Sequence, residues 1–398
     1  MTAPVRRVVI LGGGIGGLTC AIALARRGIA ATVHDQASEL RTVGAGIWLP
    51  SNAMTVMDRL GLAAEQSAAG ILLERIELAD GTRMLQGIEL APVRARFGHT
   101  TLSIHRAALQ RILAAHLAPG GLRLGRRAVA IEVGEPDGGA PARVRFEDGD
   151  ELEADVVIGA DGLRSVAREA VTPGVPLRYS GVTCWRGIAD HRLPDGDATV
   201  CREVWGGAAR LGYSAIGRDQ IYFFACLSAP AGGRDDGPAK PALVERYASF
   251  PSPVPAITAA ADPATLIRTD LFDVETPARW HRGRVVLLGD AAHAMTPNLG
   301  QGGAQAIEDG FALAACLATC LAATPSVADA FAAYQAMRRP RALRIARLAW
   351  RLGRIAHYQN PIARGLRNFV LRATPDAVAR RQTDQLYDAG LVKPSDGQ

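Results

Sequence analysis

The run Gly12-Gly13-Gly14-Ile15-Gly16-Gly17 constrains this chain more than any other segment. It follows an apolar, β-branched stretch at 8–11 and opens a periodic apolar segment from Ile15 to Arg27, after which 31–34 reads as a second short strand. Strand, tight turn, helix and strand within about thirty residues make a βαβ unit. The glycines match G-x-G-x-x-G. Gly12 permits the turn, Gly14 lets a pyrophosphate approach the backbone, and Gly17 lets helix and strand pack closely. Ile15 and Gly16 open the helix, where free N–H groups and the positive dipole end face phosphates. Asp35, at the end of the second strand, is placed to accept hydrogen bonds from an adenosine ribose. Together these imply dinucleotide binding, without separating FAD from NAD. The alternative is a βα turn that wants glycine for packing alone.

At 398 residues the chain exceeds one small core, so two or three packed regions are expected. Residues 106–117 read as an amphipathic helix, with Leu109, Ile112 and Leu113 on one side. A buried strand at 156–160 ends in Asp161-Gly162, and another at 284–288 runs into Gly289-Asp290 and a long helix from about Gly302. Between 179 and 227, aromatic and β-branched residues with glycine punctuation argue for antiparallel strands. A loop rich in Gly, Pro and Asp follows at 229–241; the chain to about 373 reads as helical and basic, and its last residues as loose.

Composition excludes several classes. The six cysteines (Cys20, Cys184, Cys201, Cys226, Cys316, Cys320) lack ligand spacing, so reduced thiols in a cytoplasmic protein are expected and a metal site is not. Glycines break the first apolar run, so no secretory signal is read there, and the stretch 310–324 is too short to span a bilayer. The pI of 9.2 raises the question of nucleic acid. Residues 338–372 hold ten arginines and no acidic residue, and the formal total of +6 leaves the rest of the chain at −4. The basicity therefore belongs to one helical segment, expected to be a solvated or flavin-facing helix pair rather than a nucleic-acid or membrane surface.

Two segments separate FAD from NAD. Residues 155–168 read DVVIGADGLRSVAR and residues 284–310 read RVVLLGDAAHAMTPNLGQGGAQAIEDG. They resemble the DG and GD fingerprints of the class A flavoprotein monooxygenases, the para-hydroxybenzoate hydroxylase-like family. Gly44-Ala45-Gly46-Ile47 with Pro50 and Asn52, and the His105-Arg106 helix start, match the same pattern. The turn Gly300-Gln301-Gly302-Gly303, with Trp185 and Tyr222, resembles the urate hydroxylase and zeaxanthin epoxidase-like branch. The implied fold is α/β: a Rossmann-like FAD-binding domain (1–72, 99–178 and 276–335), an inserted antiparallel-sheet substrate domain (73–98 and 179–275) and a helical C-terminal segment (336–398).

The resemblance implies FAD contacts at Gly12, Gly14, Ile15, Gly16, Gly17, Asp35, Arg41, Gly46, Ile47, Arg106, Val129, Asp161, Gly162, Gly289, Asp290, Pro297, Gly300, Gln301, Gly302 and Gly303. Pro297, Gly300 and Gly302 would face the ring. Asp290, at the carboxyl end of the sheet, suits the ribityl hydroxyls, with an N-cap as the alternative. Arg106, Arg164 and Arg168 suit phosphates, Arg106 with a plain surface arginine as the alternative. Helix-dipole complementarity alone would explain Glu308 and Asp309, and His293 reads as packing near flavin rather than as an acid–base residue. Substrate would meet Arg210, Tyr222 and Trp185, although Trp185, Trp205, Tyr213 and Phe224 are as readily core. The implied activity uses NADH or NADPH, as a transient visitor, and O2 to hydroxylate a small electron-rich aromatic or heteroaromatic compound through a flavin C4a-hydroperoxide. Epoxidation of an activated alkene, or oxidase or dehydrogenase turnover, are alternatives. A halogenase is disfavoured: no lysine precedes Lys240 and WxWxIP is absent. A monomer or homodimer is expected, without nucleic acid or an integral membrane span.

Overall fold

The computed structural model describes residues 7–40, 45–137, 139–235, 237–323 and 326–390. Its first sheet has the order His281–Arg282, Val285–Leu287, Val156–Gly159, Val8–Leu11, Ala31–His34, Leu122–Arg123. The inner pairings are parallel, Val8 opposite both Val156 and Ala31. Val8–Leu11, Val156–Gly159 and Val285–Leu287 are buried throughout, which is why they read as unbroken apolar runs. Because they are parallel, their carboxyl ends deliver Gly12, Asp161 and Gly289-Asp290 to one edge of the sheet.

Helix Ile15–Ala25 leaves the first strand and crosses helix Gly302–Ala323 closely. A Cβ on Gly16 would lie 2.9 Å from that of Ala306, and one on Gly310 2.9 Å from the Cys20 amide nitrogen. The stretch Gly302–Ala322 is long and apolar enough to cross a membrane, but 61% of its most apolar window is buried. It packs on Ile15–Ala25 and Val327–Ala356 as a core helix, longer than the 310–324 stretch suggested.

The second sheet runs Ile267–Val274, Leu177–Asp190, Gln220–Ser228, Ala209–Ala215, Val200–Gly206, Arg75–Asp80, Arg83–Glu89. One face carries Trp185, Leu211, Tyr213, Phe223 and Ala225 into a core with Leu243, Tyr247, Val254 and Ile257, which belong to helices Ala239–Tyr247 and Val254–Ala259. The other meets a three-stranded sheet of Gly46–Leu49, Leu102–His105 and Gly70–Leu72. A further antiparallel sheet joins Glu151–Ala154, Ala142–Phe146 and Ala128–Glu132. Three helices close the chain: Val327–Ala356, Pro361–Ala373 and Asp376–Tyr387. Residues 391–398 lie outside the described residues, and the last helix stands where a loose end was expected from about 374. Arg341 donates to the carbonyls of Gln385 and Leu386 in it, and Tyr387 is buried.

Candidate active site

The glycines of the first turn divide by cause. Gly12 has φ +109°, and a Cβ there would lie 2.2 Å from the Ala160 carbonyl oxygen. A Cβ on Gly17 would lie 2.0 Å from the Gly12 carbonyl oxygen. Protein packing alone demands both. Gly14 is different: a Cβ there meets nothing within 4 Å, and its φ of −73° and ψ of 177° suit any residue. The opening in front of it fits a group laid against the backbone. Asp35 accepts from the Gly13 amide at 2.6 Å and the Ala37 amide at 2.8 Å, so its carboxylate ties the turn down besides facing any ribose. Gln110 reinforces the turn by donating to the Gly13 carbonyl at 2.8 Å. Arg106 stands exposed at the start of helix Arg106–Ala115, its amide bonded to the Ala45 carbonyl. Val129 is 42% exposed on strand Ala128–Glu132, and Arg41 and Gly44 lie outside the described residues.

The two later fingerprints are stitched together. Asp161 accepts from Ser165 Oγ at 2.5 Å and the Ala167 amide at 3.0 Å. Burial raises its pKa, against the pull of these bonds. Gly162 follows with φ +81°. Arg168, read as a phosphate ligand, is corrected: it is buried, and its guanidinium donates to the carbonyls of Leu163, Asp290 and Ala291. Arg164 stays exposed. Gly289, not Asp290, is the N-cap of helix Asp290–His293. That leaves the exposed Asp290 carboxylate accepting no hydrogen bond among the described residues. The N-cap alternative is thereby removed.

Glu308 and Asp309 are also corrected, because a dipole needs neither of them buried. Both are fully buried. Asp309 accepts from His293 Nε2 at 2.5 Å, the Gly289 amide at 3.0 Å and Arg338 Nε at 2.7 Å. Burial alone would raise its pKa, but His293 and Arg338 hold it well below the usual carboxylate range. Glu308 accepts from Asn52 Nδ2 at 2.6 Å, Gln305 at 3.1 Å, Arg341 at 2.9 Å and Arg338. Gln301 joins through Asn52 and Gln305, both at 3.0 Å. The turn 297–303 is thus hung from a buried polar network reaching into helix Val327–Ala356. Arg338, expected on a solvated or flavin-facing helix, is its centre. His293 is fully buried within it.

Around this turn the structure gathers several expected residues. A Cβ on Gly302 would lie 4.0 Å from Asp290 Oδ1, one on Gly303 3.1 Å from Ile47 Cδ1, and one on Gly300 3.8 Å from the Trp48 ring. Gly46 is pressed against Tyr222, where a Cβ would lie 2.5 Å from Cγ. Gly300 has φ +63°, whereas Gly302 is an ordinary first helical residue. Backbone strain on substitution therefore belongs to Gly300.

Cross-strand register decides which side chains share the substrate face. Tyr222 lies opposite Ser214 and Ile188, and Phe224 opposite Gly212 and Arg186. Trp48 meets Tyr222 and Phe224 edge-on, with centroids 6.1 and 5.5 Å away, and donates to Ser214 Oγ at 2.7 Å. Trp185 points to the opposite core, its indole N–H bonded to Asp235 at 3.0 Å; as a substrate residue it is corrected, because side chains alternate along a strand. Arg210 is on the right face, but it donates to Glu203 at 2.6 Å, His357 Nε2 at 3.1 Å and Asn298. It is a brace between sheet, turn and C-terminal helices. Arg186 and Trp48, missed in the sequence, are found only once register is known.

The brace carries a pH signature. Arg210 can only donate, so His357 must be neutral with Nε2 accepting. Burial first, and Arg210 next, lower the His357 pKa to about 3; burial, Arg126 and Arg123 lower that of His34 to about 4. The unfolded chain protonates these rings near about 6.5. Between the two values the unfolded state binds more protons, so stability is complete above about 6.5 and declines as pH falls toward 4. Melting temperature should be flat from about pH 8 to 7 and fall below about 6.5, and His357→Gln, which keeps an acceptor for Arg210, should flatten that decline. An unchanged slope in the variant would remove His357 from the account.

The opening at Gly14, the uncommitted Asp290 carboxylate and the amino end of helix Gly302–Ala323 fit a pyrophosphate, a polyol and an electron-rich ring edge in that order. Residues 6–349 match the FAD binding domain family. The chain is 38% identical to the aurachin C monooxygenase/isomerase of Stigmatella aurantiaca, over 92% of this chain and 93% of that one. It is 37% identical to the 2-heptyl-3-hydroxy-4(1H)-quinolone synthase of Pseudomonas aeruginosa, over 96% and 97%. The Klebsiella pneumoniae HpxO structure, complexed with FAD and uric acid, superposes with a TM-score of 0.86 at 29% identity, covering 98% of this chain and 97% of that one. The chain belongs to the FAD binding domain family, as a class A flavoprotein monooxygenase.

Proposed function

We propose that this enzyme uses NADH or NADPH and O2 to hydroxylate a small, largely apolar heteroaromatic ring, of the kind a quinolone presents. The observation that carries the substrate class is the aromatic face of Trp48, Tyr222 and Phe224, whose two arginines are already engaged: Arg210 by Glu203, His357 and Asn298, and Arg186 by Tyr222 and Thr269. A purine such as urate needs several buried hydrogen-bond partners, and a site whose Arg186, Arg210 and Ser214 are already bonded to protein groups would discriminate against it. Relatives named for aurachin and quinolone chemistry, at 38% and 37% identity, support the same class.

When bound, FAD supplies the redox chemistry, accepting a hydride and activating O2. The protein's share is placement. Gly12, Gly14 and the helix start at Ile15 would receive the pyrophosphate, with Asp35 beside the ribose and Asp290 at the ribityl chain. Gly46, Ile47 and the turn with Pro297, Gly300, Gln301, Gly302 and Gly303 would border the ring, and Arg106 and Val129 would lie toward the nucleotide. Tyr222 and Phe224 would cover the substrate and exclude water. The strands at 75–89 and 177–274 would form the substrate side of the partition expected at 73–98 and 179–275. The enzyme would act in the cytoplasm as a monomer or homodimer.

Purified protein should be yellow, and Asp290→Ala should lose most of its FAD on dialysis. With labelled O2, one labelled oxygen should enter an accepted quinolone, and NAD(P)H consumption should rise with that compound more than with phenols or urate. Label arriving only from water, or peroxide matching all NAD(P)H consumed, would remove the monooxygenase reading. A preference for urate would remove the substrate reading alone.

A further inference from the structure

Helix Pro361–Ala373 docks the wrong way round for a core helix. Its polar edge faces inward: Arg364 Nη2 donates to Asp80 Oδ1 at 3.0 Å, Arg367 Nη2 to Asp80 Oδ2 at 2.8 Å and Asn368 Nδ2 to Asp80 Oδ2 at 2.6 Å. Arg367 also lies over the Trp205 ring, 4.5 Å from its centroid. The apolar stripe faces out, with Ile362 82%, Leu366 64%, Phe369 66% and Val370 54% exposed. Spacings of four, three and one residues put these four on one helical face. Contiguous exposed apolar area of this kind marks a surface that something covers.

Charge selects the cover. The 338–372 segment has no acidic residue. Of its arginines, Arg344, Arg347, Arg351 and Arg354 are exposed along one side of the preceding helix, and Arg372 is exposed at the end of this one. A second copy related by a two-fold axis would bring this basic segment against its own kind. The eight residues after 390 carry few apolar side chains, Leu391 and Val392 foremost. An anionic lipid surface satisfies both halves: arginines meet headgroups while the apolar stripe enters the headgroup boundary. We propose that Pro361–Ala373 is a membrane-surface anchor that seats the enzyme on anionic bilayers. This departs from the solvated or flavin-facing role expected for the segment, and it does not depend on the substrate reading.

The anchor reaches the site mechanically. Asp80 belongs to the substrate-side sheet, and His357, just before the anchor, accepts from Arg210, which also holds Asn298 in the turn 297–303. The bilayer would therefore hold the sheet that covers the substrate.

The test is flotation of the FAD-loaded enzyme with phosphatidylcholine vesicles, with and without about 30% phosphatidylglycerol. Binding to anionic vesicles should exceed binding to neutral ones by about tenfold or more and weaken in high salt. Leu366→Ser with Phe369→Ser should lose about tenfold or more, and Arg372→Gln a smaller part. Independently of any variant, a bilayer-embedded carbene photoprobe should label the wild-type peptide containing Leu366 and Phe369. No vesicle binding, equal binding by the double variant with normal FAD content, or labelling elsewhere only, would overturn the anchor. So would a wild-type dimer that becomes monomeric in the double variant without lipid, since a second copy would then be the cover.

Discussion

Arg338→Ala should destabilise the fold by about 3–5 kcal/mol, the range for breaking one side of a buried ion pair. The side chain is 2% exposed and holds Asp309 at 2.7 Å, Gln305 Oε1 at 2.7 Å and Glu308. Removing it leaves two fully buried carboxylates, next to each other in sequence, with Arg341 and His293 as their remaining partners. Repulsion between them and the cost of desolvating an underpaired charge act in the same direction. The damage should travel to the cofactor, because Gln301 is tied to Glu308 through Asn52 and Gln305. Urea unfolding gives the free energy, and FAD content after dialysis gives the second readout. Arg351→Ala, on the exposed side of the same helix, should stay within about 0.5 kcal/mol of wild type. A loss under about 1 kcal/mol for Arg338→Ala would mean that the network is not what holds the turn.

Gly14→Val and Gly17→Ala should fail in opposite ways. At Gly14 a Cβ meets no protein atom within 4 Å and the residue needs no unusual dihedral, so the apo-protein should melt within a few degrees of apo wild type. FAD affinity should fall by about two orders of magnitude, roughly 2.7 kcal/mol, because the valine occupies the approach to the backbone. At Gly17 a methyl would lie 2.0 Å from a backbone oxygen that cannot rotate away. That variant should lose about 3 kcal/mol or more, or fail to fold, whatever the ligand. Titrating apo-protein with FAD and melting each variant without it separates the two. Wild-type affinity in Gly14→Val would show that the opening is not where the pyrophosphate lies.

How much was legible follows from the range of each constraint. The βαβ unit, the glycine turn and the strands that end at Asp161 and Asp290 could be read directly, because each rests on short-range backbone demands written in neighbouring residues. Two helix ends moved by two residues each: the segment read to Arg27 ends at Ala25, and that read to Leu117 ends at Ala115. Side-chain partnerships were not legible. Glu308 and Asp309 looked like dipole partners because Arg338, Asn52 and His293 come from 29, 256 and 16 residues away. Trp185 and Tyr222 looked equally eligible until strand register put them on opposite faces, since a shift of one residue exchanges the two sides of a strand. Arg210 could be placed near the substrate, but only the packed structure filled its three donor sites with Glu203, Asn298 and His357. The amphipathic pattern of Pro361–Ala373 was present in its residues, but which face turns inward was not. That choice was made by Asp80, some 284 residues earlier, because a part-buried carboxylate in the seven-stranded sheet binds arginines more strongly than an apolar stripe binds a surface already packed.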